Sequence, residues 1–164
     1  MKEEACPRRV LVVGLGNPDR GDDGIGPLVV KKLTGLLPAD VVIATPPADV
    51  LALMAEWMDF DALIFVDAAA PLTTPGRIHR FDLATTELPR DATLTSSHAL
   101  GLAETIGLAR VLQQAPQDII VYAVEGACFA GDGPITPEVA AAAAEVADRV
   151  VAEVMSLRRI SQRT

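Results

Sequence analysis

The chain has 164 residues, half of them hydrophobic, which suits one compact domain with a real core. Its net charge of −8, with Lys and Arg clustered only near the two ends, excludes the basic stripe a nucleic-acid binder needs, so no nucleic-acid partner is expected. The charged start "MKEEACPRR" shows no secretory pattern, "VLVVGLG" is too short to span a bilayer, and Cys6 and Cys128 make no CxxC pair, so a cytoplasmic protein with no membrane contact is expected.

Short apolar runs alternate with helical periods along the chain. "RVLVVGL" (9–15) reads as a buried strand, because its β-branched residues run without alternation. Ile25, Leu28, Val29, Leu33 and Leu36 recur near helical spacing and predict a helix over about 24–37. "DVVIAT" (40–45) is a second strand. Pro47 then opens a helix whose stripe is Val50, Leu53, Met54, Trp57 and Met58. "ALIFVDA" (62–68) is a third strand, and "GRIHRFDL" (76–83) alternates as an edge or antiparallel strand does. Residues 97–114 predict a helix with Leu102, Ile106 and Ala109 on one face, and "DIIVYAV" (118–124) is the fifth strand. The last helix starts with Thr136 as N-cap and Pro137 at its first turn, and carries Val146, Val150 and Val154 inward to about Leu157. This order argues an α/β sandwich with a mostly parallel sheet, formed as a single domain over 1–164 with its core at about 9–157 and flexible ends. Ligands of such sheets bind at the carboxyl ends of the strands.

The first such end is "GLGNPDRGDDGIGP" (14–27). A dinucleotide loop is a poor fit: Gly14 and Gly16 suit the fingerprint, but Asp19 holds the third glycine position and the second strand ends in "IATPP" without a carboxylate. A phosphate loop fits worse, since Asp22 and Asp23 stand where Lys and Ser/Thr belong and would repel a polyphosphate. No nucleotide cofactor is therefore expected. Aspartate before a helix is a common cap, and one aspartate suffices for that. Asp22 is assigned to the turn or cap, which frees Asp23 for the crevice. Asp67, at the end of the third strand, either closes a turn or projects into the same crevice. His79, between charged neighbours, reads as a solvated strand residue, and Cys128 as a small apolar packing residue. His98 sits in "TSSHALGL" where a helix begins, a position that favours the neutral, metal-ligating imidazole. Two carboxylates and an imidazole would suit Ni, Zn, Fe or Mn with open positions. There is no HExxH and no G-x-S-x-G.

Three segments, "VLVVGLGNPDRGDDGIGP", "LIFVDAA" and "SSHALGLAETI", resemble in order and spacing the signatures of the [NiFe] hydrogenase maturation endopeptidases; "VYAVEG" and "ITPEVAAA" resemble that family's last strand and helix. The resemblance implies a three-layer α/β/α sandwich, phosphorylase/hydrolase-like, with a mixed, mostly parallel sheet of about five strands. It implies an aspartic-type endopeptidase that removes a short C-terminal peptide from the large-subunit precursor of a [NiFe] hydrogenase after nickel insertion. The metal-contacting and catalytic residues it implies are Asp23, Asp67 and His98, and the metal is nickel carried by the substrate. The turn "ATPPADV" departs from the Gly/Thr-rich turn of many members, which bears on the identity of the hydrogenase partner. The alternative reading is a non-catalytic chaperone of the same fold that binds nickel or the large subunit.

Overall fold

The computed structural model describes residues 6–46, 50–88 and 101–160. Among these residues, five strands and four helices follow in the predicted order: β1 (Val10–Gly14), α1 (Ile25–Leu33), β2 (Val42–Ala44), α2 (Val50–Trp57), β3 (Ala62–Ala69), β4 (Ile78–Asp82), α3 (Leu102–Val111), β5 (Asp118–Glu125) and α4 (Pro137–Ile160). A 3₁₀ turn at Gly21–Gly24, not foreseen from periodicity, precedes α1. The strands form one sheet in the order β2-β1-β3-β5-β4, parallel except for β4, which pairs antiparallel on the edge beside β5. β3 is buried at all eight positions, as a central strand covered on both faces must be.

Alternate strand residues feed two separate cores. Val12, Ile64, Val66 and Tyr122 pack with α1 and α4; Leu11, Phe65, Val121 and the α2 residue Trp57 pack with α2 and α3. The molecule is thus a three-layer α/β/α sandwich. On α4, Val146, Val150 and Val154 are fully buried, each contributing about 1.5–3 kcal/mol of burial. Across the same face the Tyr122 hydroxyl donates to Glu153, which also accepts two bonds from the Arg80 guanidinium.

Helix ends depart from the sequence reading. α1 stops at Leu33, because Thr34 (ψ 121°) and the left-handed Gly35 (φ +81°) make a tight turn closed by the Leu36 N–H on the Leu33 carbonyl, and Leu36 is exposed. Met58 lies one residue past the end of α2 and is also exposed, although Leu53 and Trp57 of the same stripe are buried. The predicted helix start at Pro47 lies outside the described residues. Among the described residues, no helix is long and apolar enough to cross a membrane.

Candidate active site

The site begins with how closely α1 approaches β1. The Leu15 amide donates to the Val66 carbonyl, adding one rung to the β1–β3 ladder and carrying the following loop over the end of β3. A Cβ on Gly26 would lie 2.1 Å from the Leu15 carbonyl oxygen, so only glycine lets the helix pack there. Gly16 has φ +114°, and its Cβ would lie 1.9 Å from the Asp23 carbonyl oxygen. Glycine here satisfies both the left-handed turn and the contact with the 3₁₀ segment.

This geometry brings Asp23 and Asp67 together. Asp23 is 1% exposed and Asp67 fully buried. Asp67 lies on the α2/α3 face of β3, in step with Leu63 and Phe65. One oxygen of each carboxylate is held: Asn17 N–H donates to Asp23 Oδ2 (2.9 Å), and Ala68 N–H to Asp67 Oδ1 (2.8 Å). Among the described residues, Asp23 Oδ1 and Asp67 Oδ2 are buried without a hydrogen-bond partner. Burial pushes the Asp67 carboxyl up to about 8; the Ala68 bond opposes the rise and the neighbouring Asp23 charge adds to it. Two buried carboxylates, each with an unused oxygen, form a donor pair for a hard or borderline cation. His98 lies outside the described residues. Among the described residues, no group of three His, Cys, Asp or Glu side chains could hold a metal ion.

Asp22 faces the opposite way, and its role differs from a cap on its own helix. Neither the 3₁₀ turn nor α1 has a side-chain N-cap bond. Instead Asp22 accepts from the backbone N–H groups of Ala127, Cys128 and Thr136 and from the Thr136 hydroxyl, at 2.7–3.0 Å. Burial alone would raise its carboxyl, but the bonds from Cys128, Ala127 and Thr136 outweigh that and hold it below the usual carboxylate range. Asp22 therefore ties the first loop to the β5–α4 connection. Thr136 keeps the predicted N-terminal place, its carbonyl accepting the Ala140 N–H, but its hydroxyl serves Asp22. Cys128 is exposed rather than packed, because only its backbone is used in this junction.

His79 is not a solvated strand residue. Its Nε2 lies 2.6 Å from Glu125 Oε1, and its ring stacks on Phe81 at 6.3 Å between centroids. Glu125, fully buried at the end of β5, also accepts from the N–H groups of Thr73 and Thr74. Burial alone would raise the Glu125 carboxyl, yet the Thr73, His79 and Thr74 bonds bring it down to about 2. Nothing in the local pattern of "GRIHRFDL" or "VYAVEG" signals this pair, which depends on the register of β4 against β5.

The family model described as "Hydrogenase maturation protease" matches residues 28–153. No curated protein matches the chain. Among solved structures, the chain is similar to the hydrogenase maturating endopeptidase HybD from E. coli, with a TM-score of 0.71 and 23% identity over 90% of this chain and 93% of that one. It is similar to the [NiFe] hydrogenase maturation protease HycI from Thermococcus kodakarensis, with a TM-score of 0.70 and 22% identity over 92% and 94%. It is also similar to a hydrogenase 2 maturation peptidase from a Thaumarchaeota archaeon, with a TM-score of 0.67 and 27% identity over 90% and 98%.

Proposed function

The chain belongs to the hydrogenase maturation protease family, and from that premise we propose that it removes a short C-terminal peptide from the nickel-loaded large-subunit precursor of a [NiFe] hydrogenase. The observation that carries this reading is the pair Asp23–Asp67: buried, within electrostatic reach of one another, each with one oxygen unpartnered among the described residues, at the carboxyl ends of the strands. Such a pair is costly by itself and is relieved by a cation. In this reading Asp23, Asp67 and His98 engage the substrate's nickel and so dock the tail across the crevice. Oxygen and nitrogen donors complement a metal held by thiolates in the precursor. A precursor without nickel lacks the handle, which explains selectivity without a long recognition sequence.

Cleavage needs a polarised carbonyl and an activated water. A docked nickel would supply a Lewis acid, or an aspartate of the pair would take a proton from the water. The exposed connection over 127–134, braced from beneath by Asp22, offers a surface for the folded precursor.

The test is incubation with a nickel-loaded precursor, read by mass spectrometry for loss of a C-terminal peptide. Wild type should shorten the precursor, and Asp23→Asn, Asp67→Asn and His98→Ala should not. Normal cleavage by all three variants refutes the site assignment. Tight precursor binding with no shortened product would instead favour the chaperone reading.

A further inference from the structure

The connection from β3 to β4 crosses the end of β5, because β5 lies between those two strands in the sheet. Glu125, the last residue of β5, is fully buried beneath it. Its carboxylate accepts from the N–H groups of Thr73 and Thr74 at 2.9 and 3.0 Å. The backbone is pinned at both ends as well. Gly76 N–H donates to the Glu125 carbonyl (2.7 Å), Glu125 N–H to the Arg77 carbonyl (2.9 Å), and Gly126 N–H to the Ala69 carbonyl (2.9 Å). At Gly76, with φ +83°, a Cβ would lie 2.6 Å from the Glu138 carbonyl oxygen, so the connection also abuts the first turn of α4.

The residues held this way are exposed from 71 to 75, and Leu72 is 62% accessible. Pro71, Leu72 and Pro75 make the tip apolar. Residues 70–76 carry no charged side chain, although the chain has a net charge of −8. A fixed backbone beneath an exposed apolar tip lowers the ordering cost of binding, which is what a protein-docking loop needs. The position suits one partner. Leu72 follows Asp67 by five residues, so its Cα lies within about 18 Å of that of Asp67, and the turn back over Glu125 makes the distance shorter than that limit. A standard protein interface covers about 800 Å² of each partner, a patch roughly 30 Å across. A folded protein that delivers its tail to the end of β3 therefore extends over this tip.

We propose that Leu72 is a docking residue for the body of the folded large-subunit precursor, burying its side chain against an apolar surface beside the tail, and that Glu125 is the residue that positions it. Glu125 acts by fixing the backbone at Thr73 and Thr74 and touches no substrate itself. The proposal rests on the processing reading above, so the test measures binding and cutting separately.

Leu72→Ser removes the side chain and leaves the backbone bonds in place. Leu36→Ser is the control, at a leucine of similar exposure (57%) beyond the far end of α1. Glu125→Ala frees the loop, and Glu125→Gln keeps an oxygen for the threonine amides. Each protein is titrated with nickel-loaded precursor, with binding read by calorimetry and cleavage by mass spectrometry. Leu72→Ser should melt like wild type and bind precursor about tenfold more weakly, as expected for one leucine no longer buried in the complex. Leu36→Ser should bind like wild type. Glu125→Ala should exchange the Thr73 and Thr74 amides faster and weaken binding, with Glu125→Gln in between. In the Leu72→Ser background, Glu125→Ala should weaken binding little further, because it acts through that side chain. Equal binding by wild type and Leu72→Ser, or an equal loss in Leu36→Ser, overturns the proposal. Additive losses in the double variant remove Glu125 from the assignment. If wild type binds precursor in a Leu72-dependent way but never cuts it, the docking residue stands and the protease reading falls. If wild type does not bind precursor, both fall.

Discussion

Asp67→Asn isolates the cost of the buried acid pair. With the Asp67 carboxyl pushed up to about 8 from an ordinary 3.8, the folded state keeps a proton that the unfolded state has already released. Stability must therefore fall as pH rises between those values, at about 1.4 kcal/mol per pH unit. The carboxyls of Asp22, Glu125 and Glu153 are shifted down, so their contributions are complete before pH 5 is reached. From pH 5 to 8 the loss assigned to Asp67 is on the order of 4 kcal/mol, or roughly 8–16 °C in Tm for a chain of this size. The assay is urea and thermal unfolding followed by circular dichroism, in chelator-treated buffer, for wild type and Asp67→Asn. The difference between the two proteins cancels the remaining titrating groups. The two should agree near pH 5, and the variant should be the more stable at pH 8. Added Ni²⁺ should recover wild type at pH 8 and not the variant. Parallel profiles for the two proteins would refute the argument that burial holds the Asp67 carboxyl protonated at the end of β3.

Asp22→Ala leaves the N–H groups of Ala127, Cys128 and Thr136 without their acceptor and should lower stability by about 3–5 kcal/mol, seen as a reduced urea midpoint. Because the Asp22 carboxyl is held low, its contribution is present above the unfolded value near 3.8 and is lost as pH falls through the lowered folded value; wild type and variant should converge in acid. Gly16→Ala meets a left-handed φ and a carbonyl oxygen 1.9 Å from the new Cβ, so it should cost about 3–5 kcal/mol and disturb processing. Gly35→Ala also has a left-handed φ but nothing within 4 Å, and should cost only about 1 kcal/mol with processing intact. Equal losses for the two glycine variants in thermal unfolding would contradict the packing argument at Gly16.

The strands were legible because burial on both faces leaves an unbroken apolar run, as in "VLVVG" and "ALIFVDAA". Helix faces were legible for the same periodic reason, and Leu102, Ile106 and Ala109 are buried together as their spacing requires. Helix ends were less so: Leu36 and Met58 continue the spacing but not the helix, since Gly35 and the end of α2 turn the chain away. At the site, the prominence of Asp23 and Asp67 could be read from their place after buried strands. The Asp22 bond to Thr136 spans 114 residues, and the His79 bond to Glu125 spans 46, so no local window contains either.

What the sequence determined by itself is the alternation of elements and the acidity of the strand ends, because hydrophobic period and glycine placement are local properties. Which aspartate does what was decided by tertiary structure. Successive residues of a 3₁₀ turn point about 120° apart. Inside the buried turn Gly21–Gly24, that rotation sends Asp22 to the β5–α4 connection and Asp23 to Asp67. Two neighbouring, chemically identical side chains thus acquire opposite fates: one is saturated with donors and structural, the other keeps an oxygen unpartnered among the described residues. The contact of His79 with Glu125 likewise exists only because β4 pairs with β5 in one register, and a shift of one residue would turn the imidazole to the other face of the sheet.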